Sequence, residues 1–89
     1  MKVLKFGAVW CPECLIMKPR WKEIEEENPW LKTEFYDIDE NSEVAEKNDV
    51  TKNIPVFVFL DKEDKEFLRL KGNISKKDII ETINKYKDK

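Results

Sequence analysis

The stretch "AVWCPECLIMKP", residues 8–19, holds both cysteines of the chain, three positions apart and beside Trp10. Before it, residues 2–9 read "KVLKFGAV", short and rich in β-branched and aromatic side chains, which predicts a strand. After it, Cys14, Met17, Trp21 and Ile24 recur at helical period and predict a helix over 12–27. Pro12 suits a first helical turn, where its missing N–H costs nothing. Pro19 lies inside the periodic stretch, so one kinked helix is expected rather than two. Asn28-Pro29 ends it, because a residue before proline disfavours helical backbone. The cysteine pair therefore sits where a strand turns into a helix.

The same reasoning extends along the chain. Residues 33–38, "TEFYDI", read as a second strand, and 41–48 have the composition of a short helix with Val44 and Ala45 as its apolar residues. "PVFVFL", 55–60, is apolar on both faces and predicts a central strand. A charged turn leads to a strand over 67–71 in which Leu68 and Leu70 alternate with Arg69 and Lys71; so short a connection makes this pair antiparallel. Gly72 breaks the strand. Ser75 with Asp78 forms a capping box, followed by the stripe Ile79, Ile80, Ile83 and Tyr86 of a last helix. The order is β-α-β-α-β-β-α, an α/β fold with helices flanking a four-stranded mixed sheet. The first crossover should be right-handed, its two strands parallel.

Eighty-nine residues bound this to one domain, 1–89. Charged residues are 40% of the chain, yet both signs interleave and the net charge is −2. That balance lacks the basic excess of a nucleic-acid surface and the high net charge of a disordered chain. Glu23, Glu25, Glu26 and Glu27 read as a solvated helix face, as do Lys76, Lys77, Lys85, Lys87 and Lys89. No stretch approaches the roughly 18 apolar residues of a membrane span. Lys5 interrupts the short apolar N-terminal run and Trp10 stands where a leader would need a small residue, so the expected compartment is the cytoplasm. A structural disulfide is not expected to persist there.

Two cysteines so spaced admit three readings: a redox dithiol, half a metal site, or two unreactive thiols. The metal reading is weak, because a structural zinc site usually takes four Cys or His ligands and the chain has two Cys and no His. In the redox reading, Cys11 lies at the helix N-cap, where unpaired N–H groups and the helix dipole stabilise a thiolate. Cys14 lies one turn inward on the apolar stripe and is expected to be shielded. Cys11 then attacks a substrate disulfide, and Cys14 resolves the mixed disulfide.

With these residues in place, the chain resembles the thioredoxin family over nearly its whole length. "WCPEC" is similar to the family's Trp-Cys-x-x-Cys site, Pro19 to the proline that kinks the active-site helix, and "YDID", 36–39, to the strand end before the next helix. Asn53-Ile54-Pro55 resembles the cis-proline loop that binds the substrate backbone, and Gly72 with Ser75 the closing segment. Pro55 at the opening of a buried strand agrees with that placement, and Asn53 is a residue that tolerates left-handed turns. The resemblance implies a thiol–disulfide oxidoreductase acting on protein disulfides. Cys11 and Cys14 would be catalytic, with Trp10, Ile54 and Pro55 binding substrate. It also implies no cofactor of its own, a thioredoxin-reductase-like electron donor and a monomer.

The departures are specific. The chain starts at the strand leading into the site, without the extra N-terminal strand and helix of full-length thioredoxins, as in minimal redoxins. Pro12-Glu13 between the cysteines follows the glutaredoxin order, yet the glutathione-binding glycine segment of glutaredoxins has no match around Gly72-Asn73. Lys5 stands where thioredoxins carry a buried acid; it is expected either to snorkel outward or to approach Cys14. Glu13 places a carboxylate beside Cys11, disfavouring its thiolate, and with no histidine in the motif a reducing couple is expected.

Overall fold

Residues 1–89 are described by a computed structural model, in which seven elements follow the expected order. They are β1 (Lys2–Gly7), α1 (Pro12–Glu27), β2 (Lys32–Asp37), α2 (Ser42–Lys47), β3 (Val56–Leu60), β4 (Glu66–Lys71) and α3 (Lys76–Lys85). The sheet order is β2-β1-β3-β4. β1 runs parallel to β2 and antiparallel to β3, and β4 is antiparallel to β3. Helix α1 continues unbroken past Pro19, whose ring lies on the exposed side, at the cost of the one bond its missing N–H would make to the carbonyl four residues back.

Strand alternation decides which residues meet which layer. Val3, Phe57 and Phe59 face Met17, Trp21 and Ile24 of α1 and Ile79 and Ile83 of α3. Leu4, Phe6, Val56, Val58 and Leu60 face the other way, toward Ala45 of α2 and Val50. Every residue of β3 is buried, as its doubly apolar pattern requires. Trp21 is 2% exposed, with ring centroids 5.3 Å from Phe57 and 6.4 Å from Phe59. Trp30 covers the margin of this core, with the Lys87 ammonium 5.0 Å above its ring.

Three details correct the sequence reading. The acidic run is not a bare solvated face, because Lys76 Nζ donates to Glu23 at 2.5 Å and to Glu27 at 2.7 Å, joining the start of α3 to the end of α1. Glu25 is taken by Lys5. The C-terminal lysines likewise lie along rings, Lys85 over Tyr86 and Lys89 over Phe67, their stems covering apolar surface. Finally, the left-handed turn residues are Asp49 (φ 56°) and Asp64 (φ 61°) rather than Asn53. The Asn53 side chain instead accepts from the Thr51 N–H at 3.2 Å and its hydroxyl at 3.1 Å, closing the turn without a left-handed residue.

Ion pairs and hydrogen bonds lower several carboxyl groups of the folded chain. Hydrogen bonds from Arg69 hold Glu66 below the usual 4.5, and Lys76 does the same for Glu23. The Tyr36 hydroxyl, then Lys2, lower Glu34. The N–H groups of Lys65 and Glu63 lower Asp61. A carboxyl depressed in the folded state stabilises the fold fully above its unfolded value, and that contribution is lost as pH falls through the folded value. Urea midpoints should therefore decline as pH drops below about 4.5. Glu66→Gln should lower the midpoint near neutrality and flatten the acid decline; an acid decline as steep as that of the parent would exclude this role for Glu66.

Candidate redox site at the start of helix α1

Beyond Gly7 the chain turns over Ala8, Val9 and Trp10 and enters α1 at Cys11. The turn is closed by the Cys11 N–H donating to Ala8 O at 3.2 Å, and the first helical bond runs from the Leu15 N–H to Cys11 O. Cys11 is the N-cap, with extended backbone (φ −95°, ψ 111°), and its sulfur accepts the Cys14 N–H at 3.2 Å. A cysteine thus takes the place usually held by Ser, Thr, Asp or Asn. Pro12 occupies the first turn as expected. Cys11 and Cys14 are disulfide-bonded, their Cα atoms 5.2 Å apart, because a three-residue helical step puts both side chains on one face.

The burial of the two sulfur-bearing residues runs opposite to the expectation. Cys11 is only 5% exposed, whereas Cys14 is partly exposed. Cys11 is roofed by the loop before β3, its sulfur 3.8 Å from Ile54 O. Cys14 lies over Gly7, which offers no side chain to cover it. A Cβ added there would meet the Cys14 sulfur at 3.2 Å and the Phe35 ring at 3.3 Å.

Long-range contacts hold the roof. The Ile54–Pro55 peptide is cis, Pro55 is buried and Ile54 partly exposed. The Gly72 N–H donates to Pro55 O at 2.8 Å from a left-handed backbone (φ 82°) that glycine adopts without cost. Arg20 of α1 then secures the chain beyond it, donating to Asn73 Oδ1 at 2.6 Å and to Ile74 O at 2.7 Å. Trp10 is about half exposed, and its indole N–H donates to Asp39 Oδ2 at 2.8 Å. Asp39 is in turn presented by buried Asp37, whose carboxylate accepts the amides of residues 39 and 40. The sequence reading missed Asp37, Asp39 and Arg20; the repeated acid of "YDID" was the one local hint. Glu13 is exposed, its carboxylate 3.7 Å from where a Gly72 Cβ would stand.

Lys5 takes neither expected course. It shares the α1-facing side of β1 with Val3 and Gly7, and Trp21 stands before it. Its ammonium lies 5.8 Å from the Trp21 ring centroid and pairs with Glu25 at 2.5 Å, leaving the side chain 15% exposed. Lys5, Gly7, Cys14, Lys18, Trp21 and Phe35 help line a cavity of about 210 Å³. Five large apolar residues are exposed, Val9, Trp10, Leu15, Ile16 and Phe35, and all lie around this end of the molecule. No group of three or more His, Cys, Asp or Glu side chains converges as a metal site, and no helix is long and apolar enough to cross a membrane.

A mixed four-stranded sheet with a helix-capping Cys-x-x-Cys disulfide facing a cis-proline loop defines a thioredoxin-like fold and site. The thioredoxin family model matches residues 1–85, and the chain belongs to the thioredoxin family. It is 37% identical over 65 residues to thioredoxin H-type proteins of Brassica oleracea and Brassica napus. Those matches take in 71% of this chain, which spans about half the length of these curated relatives. Among solved structures, a thioredoxin of Nicotiana alata superposes with TM-score 0.86 at 30% identity, covering 96% of this chain and 71% of that one. A Fasciola hepatica thioredoxin gives 0.85 at 34% identity, covering 96% and 79%. Thioredoxin 1 of Thermosipho africanus gives 0.84 at 30%, covering 99% and 96%.

The contact at Gly7 can be tested directly. Phe35 is 60% exposed and free to yield, but the Cys14 sulfur is tied to Cys11. Gly7→Ala should therefore destabilise the oxidised protein by about 1–3 kcal/mol, the usual range for overpacking, and the dithiol form by less. Urea unfolding with and without reductant measures both. Equal costs in the two states would show that the sulfur is not the obstacle.

Proposed function

We propose that the protein is a thiol–disulfide oxidoreductase that reduces disulfides in protein substrates through Cys11 and Cys14. The observation that carries this reading is the Cys11 sulfur at the N-cap, accepting the Cys14 N–H at 3.2 Å. The same N–H and the helix dipole that meet the sulfur here stabilise a thiolate once the bond is reduced. Cys11 thiolate attacks one sulfur of a substrate disulfide. A mixed disulfide forms, and the other substrate sulfur leaves as a thiolate that takes a proton from water. Cys14, one helical turn away, loses its proton and attacks Cys11. Their disulfide closes, and the second substrate thiol departs; two electrons have passed to the substrate.

Substrate would lie as an extended segment across Trp10, Ile54 and Pro55, paired strand-to-strand with the loop before β3. The half-exposed Trp10 ring and the position of Ile54 O beside Cys11 support that groove. The dithiol is restored by a thioredoxin-reductase-like donor, with no cofactor resident in this chain. The remaining parts of the proposal are a monomer working in the cytoplasm, with Pro12, Glu13 and Lys5 tuning the pair.

Reduction of insulin disulfides in the presence of dithiothreitol tests the reading. Cys11→Ser should abolish turnover. Cys14→Ser should retain the first attack and accumulate a mixed disulfide visible by mass. Turnover unchanged in Cys11→Ser would overturn the proposal in favour of a thioredoxin-fold module that binds partners without catalysis. For the couple itself, equilibration against glutathione should give a potential nearer the roughly −270 mV of reducing couples than the roughly −120 mV of oxidising ones.

A further inference from the structure

Lys5 is a buried-stem cation for which the tuning named above has no stated means, and it shares a cavity with the sulfur that must become a nucleophile. We propose that Lys5 is a movable counter-ion, paired with Glu25 in the disulfide form and turning to the Cys14 thiolate once the disulfide is reduced. The inference rests on the redox reading above and assigns a charge-stabilising role to a residue outside the Cys-x-x-Cys motif.

The argument for reach is geometric. Lys5 and Gly7 lie on the same face of β1, two residues and so about 7 Å apart along the strand. The Cys14 sulfur lies 3.2 Å from the Cβ position of Gly7. That separation is within the span of a lysine's flexible four-carbon stem. The cavity of about 210 Å³ that Lys5, Gly7 and Cys14 help line gives the ammonium room to travel. Its other walls include Met17, Trp21, Phe35, Phe57 and one further cation, Lys18.

The energetic argument compares the two partners. Glu25 keeps 31% of its side chain exposed, so water can solvate its carboxylate when Lys5 leaves. Part-exposed ion pairs of this kind contribute little. A Cys14 thiolate beside mostly apolar walls has fewer alternatives, and a cation approaching it there acts through a lower effective dielectric. In the disulfide form Cys14 carries no charge and Glu25 holds the ammonium. In the dithiol form the balance shifts toward Cys14. Lys5 acts by charge alone and takes up no proton in the step, so the Cys14 proton leaves to water. The charged groups facing Cys14 are then Lys5 from β1 and Lys18 from α1, with Glu25 competing for Lys5; β2 and β3 contribute Phe35 and Phe57 to the same cavity.

Because the counter-ion favours the reduced state, removing it should make the couple more reducing, and freeing it should do the opposite. Lys5→Met should lower the equilibrium constant for reduction by glutathione about tenfold, equal to about 30 mV for this two-electron couple. Glu25→Gln, a change at a part-exposed position, should raise that constant, and Lys5→Arg should hold it near the parent value. Ultraviolet titration of the reduced protein should show the Cys14 thiolate forming at higher pH in Lys5→Met and at lower pH in Glu25→Gln. Constants that match the parent in both variants, or that move in the same direction, would overturn the inference. Should Lys5→Met not fold, Glu25→Gln decides the matter by the sign of its shift. These measurements need only a reversible disulfide. Loss of insulin turnover with opposite shifts preserved would count against the substrate reading alone.

Discussion

Cys14 rests on the backbone of β1 at Gly7, and this close approach of helix to strand governs how the rest of the site is built. The absent side chain lets the first turn of α1 settle against the end of a central strand. Once it is there, the Cys11 sulfur becomes the cap of the helix and meets the Cys14 N–H. The opposite wall is supplied by a segment more than forty residues away, Ile54-Pro55, held by the Gly72 amide. Neither wall is complete alone: a helix start supplies the N–H that meets the sulfur, and an irregular loop brings the Ile54 carbonyl to its other side. The fold brings them together because β1 and β3 are neighbours in the sheet.

How much of this could be read beforehand follows the range of the interaction. "PVFVFL", the Cys14–Ile24 stripe and the Ser75–Asp78 cap are local patterns with a local physical cause, and each appears in the structure within a residue or two. The cap is the Asp78 N–H donating to the Ser75 hydroxyl at 3.1 Å. Burial of the two cysteines was misjudged because helical period places Cys14 on the inner face but says nothing of what lies opposite. A glycine lies opposite Cys14, and a loop covers Cys11. Lys5 was ambiguous for a related reason. Its neighbour in space, Glu25, belongs to an acidic run that local charge counting assigns to solvent.

The charged surface is accordingly more structured than its composition suggests. Lys76 binds Glu23 and Glu27 and so links two helices that cover the same sheet face. Arg20 uses the same helix to secure the loop after Gly72. Helix α1 thereby serves at once as cap of the sulfur site, half of the larger core and anchor for the chain that supports Pro55. The indole N–H of Trp21 has no partner although the ring is fully packed, a sign that the aromatic bulk of this residue outweighs its polar atom in the core.

The sheet is covered unequally. On one side lie the sixteen residues of α1 and the ten of α3, while on the other α2 has six. The segment leading to Ile54 hangs from that thinner cover, through the Val50 N–H to Ala45 O at 2.8 Å and the Asn48 side-chain amide to Val44 O at 2.9 Å. Regions with few buried apolar contacts open first, as cooperative units below the global unfolding free energy. Helix α1, from the thicker cover, carries the two sulfur atoms, while the loop that faces them descends from the thinner one, so the two walls of the site are held by layers of unequal depth.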